Sequence, residues 1–352
     1  MEFRNLTQEE CSQLERNGCL CAEWERVRVK EDFVTTNIRN VVFSGDITIG
    51  SLRRKFLSDG CVPKVSGIYN ATIHNCRIGD NVYINQVKNH LANYIIEEDV
   101  VIESVDSMSV SGRSYFGNGC RVAVLNETGG REVVMYNDLS AHTAYLMAFY
   151  RHCPVLIERL TSMTDEYCES IASDMGRVSK GAHLINCRTI LDVNIGEYAE
   201  IEGIYRLSNG TVNSCKEDPS YFGPGVVAKD FITSCGSIVS EMSMISNCFV
   251  GQGTILAKQY SAENSLFFAN CQGFHGEACS IFAGPYTVSH HKSTLLIAGY
   301  YSFLNAGSGS NQSNHMYKLG PIHQGVVERG SKTTSDSYLL WPAKIGAFSL
   351  VM

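Results

Sequence analysis

Ala71-Thr72-Ile73-His74-Asn75-Cys76-Arg77-Ile78-Gly79-Asp80-Asn81-Val82-Tyr83-Ile84 carries two patterns at once. Ala71, Ile73, Cys76, Ile78, Val82 and Ile84 are small or aliphatic and spaced for short strands, in which alternate side chains face one way. Ile78 to Ile84 then spells a hexad: aliphatic, glycine, two polar residues, a small residue, a variable one and an aliphatic. The same 14-residue spacing begins again at Thr36 (TNIRNVVFSGDITI), Ala182 (AHLINCRTILDVNI) and Ser243 (SMISNCFVGQGTIL). Aligned, the inward positions are Thr36, Ile38, Val41, Phe43, Ile47 and Ile49; Ala182, Leu184, Cys187, Thr189, Val193 and Ile195; and Ser243, Ile245, Cys248, Val250, Thr254 and Leu256. The fifth residue is asparagine each time: Asn40, Asn75, Asn186 and Asn247. Asparagine tolerates left-handed backbone angles and so suits a corner between strands. A corner every five or six residues leaves no length for a helix. Four such copies imply an all-β solenoid whose rungs bury their aliphatics only against the next rung.

Further hexads lie at Ile96–Ile102, Phe116–Val122, Ile195–Ile201 and Ile345–Val351. Thr7-Gln8-Glu9-Glu10 reads as a capping box for a short helix, with Leu14 inward and Gly18 at its end. After Asp138-Leu139-Ser140 the period becomes helical: Leu146, Phe149, Tyr150 and Cys153 share a face. Pro154 breaks the run, and Leu156, Leu160, Met163, Tyr167 and Ile171 continue it to Gly176. This insertion is expected outside the stacked rungs. The fresh hexad just before Met352 would present a raw sheet edge, so the native polypeptide is expected to continue or to be covered there.

Composition narrows the function classes. The 352 residues are 44% apolar with a net charge of −7, which suits a foldable chain and offers nucleic acid or anionic membrane no attraction. No apolar run is long enough to span a bilayer, and the N-terminus lacks a signal-peptide layout. A cytoplasmic chain with reduced thiols is expected. Among its fourteen cysteines, Cys76, Cys187 and Cys248 recur at one repeat position, as small buried apolar residues would. Cys19-x-Cys21 is too tight for a zinc knuckle and has no second pair, so no metal site is expected.

From Ala283 onward the hexads become irregular. Asn305 to Lys318 (NAGSGSNQSNHMYK) is a Gly/Ser/Asn loop, and His323, Arg329 and Lys332 follow. Gly325-x4-Gly330-Ser331-Lys332-Thr333 nearly spells a P-loop, but Ser331 interrupts it and Tyr338–Pro342 reads as a strand, not a helix. Gly307-Ser308-Gly309-Ser310 lacks the strand–helix unit of a dinucleotide fingerprint.

The run His315–Phe348 (HMYKLGPIHQGVVERGSKTTSDSYLLWPAKIGAF), with the opening LTQEE and the Cys19–Trp24 stretch, resembles a bacterial family of uncharacterised hexapeptide-repeat proteins. Some of its members carry the label UDP-N-acetylglucosamine pyrophosphorylase-related. The resemblance implies a single-stranded left-handed parallel β-helix; the spacing itself shows repetition and short strands, not handedness. On that basis residues 1–33 form an N-terminal helical cap and 34–352 the β-helix, interrupted at about 138–176. Residues 1–60 lack the Gly-rich nucleotidyl-transfer loop, so pyrophosphorylase activity is not expected.

Two functions follow. The first is acyl transfer to a sugar or sugar nucleotide. His315 or His323 would be the general base and acetyl-CoA or another acyl-CoA the co-substrate, with no tightly bound cofactor. Lys318, Arg329 and Lys332 would hold phosphates, and Asn311 and Asn314 the sugar hydroxyls. The second is a non-catalytic scaffold binding a sugar or nucleotide sugar. A homotrimer is the expected assembly.

Overall fold

A computed structural model describes residues 3–58, 61–315 and 324–352, with the backbone alone for Asn314 and His315. The fold is mostly β with three α-helices among the described residues: α1 (Gln8–Arg16), α2 (Ala141–Phe149) and α3 (Pro154–Ile171). The chain divides into two compact units, each built on parallel ladders. The first comprises Met1–Ser114, Ser173–Leu207 and Ser214–Pro219; the second comprises Tyr115–Ala172, Ser208–Asn213 and Ser220–Met352.

In the first unit the registers stack aliphatic on aliphatic. Ile38, Ile68, Ile84, Ile102, Leu184 and Ile201 are successive Cα partners in parallel strands. A second column runs Phe43, Ile73, Leu91, Met108, Ile190. The third runs Val29, Ile49, Ile78, Ile96, Val178, Ile195. No member of the three columns is more than 2% exposed. Each buried aliphatic contributes roughly 1.5–3 kcal/mol, realised only when its neighbours above and below are in place.

The second unit repeats the arrangement. Val227, Met244 and Ser261 stand one above another, so one rung takes seventeen residues. Its inward columns include Phe222, Val239 and Leu256, all at 0% exposure. Ser243, Ser310, Ser331 and Ser337 sit inward at turns, each hydroxyl donating to the carbonyl three residues earlier at 2.7–2.9 Å. A small hydroxyl is favoured there because it finds an acceptor within its own turn, a carbonyl that at Ser240, Gly307 and Thr334 also accepts the serine's backbone N–H.

Every asparagine of the four copies adopts the left-handed conformation: φ is 53° at Asn40, 49° at Asn75, 57° at Asn186 and 51° at Asn247. They do not form one column. Asn40 bonds Asn70 at 3.2 Å, whereas Asn75 bonds Asn93 at 2.9 Å on another corner. The cysteine one residue past three of these asparagines is buried beside two carbonyls. The Cys248 sulfur, for example, lies 3.2 Å from the Ser246 oxygen and 3.5 Å from that of Ala262 on the next rung. Burial pushes the Cys76, Cys187 and Cys248 thiols up to about 12, so they stay protonated.

Several expectations need correction. Thr36 is exposed, and Thr189 is half-buried while Ile190 takes the inward place. The hexad Phe116–Val122 is no parallel rung: Arg121–Ala123 pairs antiparallel with Glu132–Val134. The helical stripe is displaced. Ala144, Met147 and Ala148 are the buried residues of α2, and Thr164 and Cys168 those of α3, while Tyr150 and Met163 are 39% and 60% exposed. Apart from Met147 the buried helix residues are small, which lets each helix approach its neighbours closely.

The ends of the helices follow local rules. Thr7 and Glu10 make the reciprocal capping box, Leu14 is buried, and Gly18 follows the helix at φ 82°. Arg4 bonds Glu10 and holds its carboxyl at about 2. Ser140 accepts from the Thr143 N–H at 3.1 Å, and Pro154 opens α3.

If the corners require a left-handed residue, Asn75→Ala should cost about 1–2 kcal/mol, plus the Asn93 bond. Asn75→Gly should lose the bond alone. Urea denaturation of both variants checks this; a glycine variant as unstable as the alanine one contradicts it.

Candidate functional site

The second unit carries its site on an outward column. Ile232, Phe249, Leu266, Phe282, Tyr300, Val326 and Lys344 are successive register partners. The first four are apolar and covered: with Val122, Val133, Met135, Leu139, Ala144, Met147 and Ala148 they form a dry core between ladder, hairpin and α2. Beyond Phe282 the cover thins, and an open cleft of about 550 Å³ begins at Tyr300.

One wall of the cleft is aromatic. Tyr145 and Phe149, one helical turn apart on α2, stack at 4.6 Å. Tyr300 meets both edge-on, at 5.9 and 5.3 Å. Arg131 donates to the Ala148 carbonyl at 2.8 Å, and its guanidinium lies 6.0 Å from the Phe149 ring, which fixes the end of α2. The other wall is polar: Ser302, Glu328, Arg329 and Lys344, with Lys344 paired to Glu328 at 3.2 Å. Arg329 makes no ion pair among the described residues; its guanidinium lies 5.8 Å from the Phe348 ring. Burial raises the Tyr300 hydroxyl above the usual phenol range, so it is a neutral donor. On the other side of Tyr145 and Tyr300 a second cavity of about 480 Å³ is lined by His142, Leu146 and Phe282 among others.

The residues expected from sequence are not gathered in one place. Arg329 is on the cleft wall. Lys332 is exposed on another ladder, in register with Asn305 and Leu350. Asn311 lies in the strand Asn311–His315, paired with Leu295 and Tyr338, and accepts from the Ser313 hydroxyl. Asn314 and His315 belong to that strand, but their side chains lie outside the described residues, as do Lys318 and His323 altogether. Tyr145, Tyr300, Glu328 and Lys344 were not anticipated. Tyr300-Tyr301 offered the one signal: a doublet in a strand must send one ring outward, and Tyr301 is the buried one. No group of histidine, cysteine and carboxylate side chains suited to a metal occurs among the described residues, and no described helix is long and apolar enough to cross a membrane.

The near-P-loop has a packing explanation. Gly325, Lys332 and Thr333 all lie in strands. A Cβ on Gly325 would come within 2.2 Å of the Trp341 indole, whose N–H donates to the Ile297 carbonyl at 2.7 Å.

Parallel ladders with an open aromatic cleft define a mostly β protein. The chain belongs to the family described as Domain of unknown function (DUF4954), which matches residues 3–352. It is also 31% identical over 237 residues to an uncharacterized protein of Treponema pallidum (strain Nichols). That match covers 64% of this chain and 32% of the relative, so the chain spans about a third of the relative's length. These findings overturn the resemblance to the hexapeptide-repeat family labelled UDP-N-acetylglucosamine pyrophosphorylase-related. The family that fits this chain from end to end is a different one, with no activity in its description.

Gly325→Ala should destabilise the protein by about 1–3 kcal/mol through overpacking and shift the Trp341 fluorescence. An unchanged melt and spectrum would mean that Gly325 is not there to seat the indole.

Proposed function

We propose that this chain is a non-catalytic binding module for a sugar carrying phosphate, such as a nucleotide sugar, held in the Tyr145–Phe149–Tyr300 cleft. One observation carries the reading: three aromatic rings converge beside an arginine that has no carboxylate partner among the described residues. Aromatic faces suit the C–H face of a pyranose or a base. A guanidinium suits phosphate, which it binds through paired hydrogen bonds. Ser302 and Glu328 supply partners for sugar hydroxyls. The volume, about 550 Å³, is in the range of small-ligand sites.

We further propose that the rungs of each unit wind as a single-stranded left-handed parallel β-helix. Three inward columns, short rungs and left-handed corner residues support that architecture.

Acyl transfer is the competing reading. It rests on His315 or His323 as the base, and His142, which lines the adjoining cavity, is a further histidine within that reading.

Calorimetric titration with UDP-N-acetylglucosamine tests the proposal. Binding is expected, weakened about ten-fold or more, roughly 1.4 kcal/mol, by Arg329→Ala. No heat with wild-type protein at millimolar ligand contradicts it. Release of free thiol from acetyl-CoA in the presence of the sugar, lost in His142→Ala, would replace binding by acyl transfer.

A further inference from the structure

A corner of the second unit departs from what its backbone asks for. Counting two residues before the register partners Ile238, Ile255, Gln272, Val288, Asn305, Lys332 and Leu350 gives one column of turn residues: Gly236, Gly253, Asn270, Tyr286, Phe303, Gly330 and Phe348. All seven have positive φ, from 48° to 76°. Glycine and asparagine adopt this conformation readily; a bulky aromatic residue is strained by it. Yet Tyr286 and Phe303 stand on successive rungs, each 50% exposed, with rings stacked at 5.1 Å, and Phe348 is 75% exposed. Phe348 leans over Gly330, where a Cβ would lie 2.6 Å from its ring. Tyr286 to Phe348 spans three steps of the ladder, about 14 Å.

These rings bury no core, so the fold gains little from them in return for the strain. What lies beside them points to a ligand. The outward residues of the adjoining ladder are Gln272, Val288, Asn305 and Lys332: two amides, one valine and one cation, with no carboxylate. Across it, His290 stacks on Phe274 at 4.9 Å and its ring nitrogen lies 2.6 Å from Gln272 Oε1. Lys258 sits 5.1 Å above the Phe274 ring. Arg329 closes the far end over Phe348.

We propose that this face is a second binding site, for an acidic oligosaccharide laid along the ladder. Pyranose rings rest on Tyr286, Phe303 and Phe348, Gln272 and Asn305 bond hydroxyls, and Lys332 and Arg329 pair with the sugar carboxylates. An isolated apolar patch would suit a protein partner; aromatic rings alternating with amides and cations suit a sugar chain. The site shares Arg329 with the Tyr145 cleft, but its aromatic corner and Lys332 lie outside that cleft's lining and do not rest on its assignment.

Oligogalacturonate is the probe, with neutral cello-oligosaccharide as comparison, titrated by biolayer interferometry against wild type and the double variant Tyr286→Asn, Phe303→Asn. Asparagine suits the left-handed corner, so the double variant is expected to melt at or above the wild-type temperature while binding oligogalacturonate at least ten-fold more weakly. Its affinity for UDP-N-acetylglucosamine should match the wild type's. A lower melting temperature would make the rings structural and overturn the proposal. So would undiminished oligogalacturonate binding by the double variant, no binding by wild type at millimolar concentration, or equal affinity for the neutral chain.

Discussion

The stacking of one rung's aliphatic side chain on the next is the interaction from which everything else follows. Ile84 has nothing to bury against within its own strand; Ile68 and Ile102 supply its apolar surroundings. Three such columns per rung close an interior with no room for a helix. Main-chain polar groups are then satisfied sideways, from rung to rung, rather than along the chain. Residues facing outward are thereby freed from the core, and both aromatic features lie among them.

Corners are the second constraint. Five or six residues of strand must be followed by a bend, and a single left-handed residue makes it at least cost in length. Asn40, Asn75, Asn186 and Asn247 do so while their side chains or neighbours bond the next rung. Where the column instead reads tyrosine or phenylalanine, as at Tyr286 and Phe303, the same left-handed bend carries a half-exposed ring.

How much was legible in advance follows from this division. The inward aliphatics were, because period two and the hexad are imposed by burial: Ile78, Ile195 and Leu256 are 2%, 1% and 0% exposed. Register was not. Asn75 and Asn40 have the same local surroundings and occupy different corners, since each corner makes the same demand on its residues. Thr189 and Ile190 exchanged roles for a similar reason, one residue of strand being enough to turn a side chain over. A repeat that reflects architecture also says little about kinship, and the family likeness drawn from it failed. The cleft was beyond reach for another reason. Tyr145, Tyr300 and Lys344 are far apart in sequence and meet only through the outward column and α2. Of the residues singled out from sequence, Arg329 lies on the cleft wall, and it came from an irregular, cationic segment.

Rung-on-rung burial is tested most directly by two double-mutant cycles measured in urea. Ile84 and Ile102 are adjacent in one column, while Ile84 and Ile201 are three rungs apart. Alanine at the adjacent pair should show a coupling of about 0.5–3 kcal/mol, and at the distant pair additivity within about 0.5 kcal/mol. Equal additivity in both cycles would contradict a core held together by neighbouring rungs.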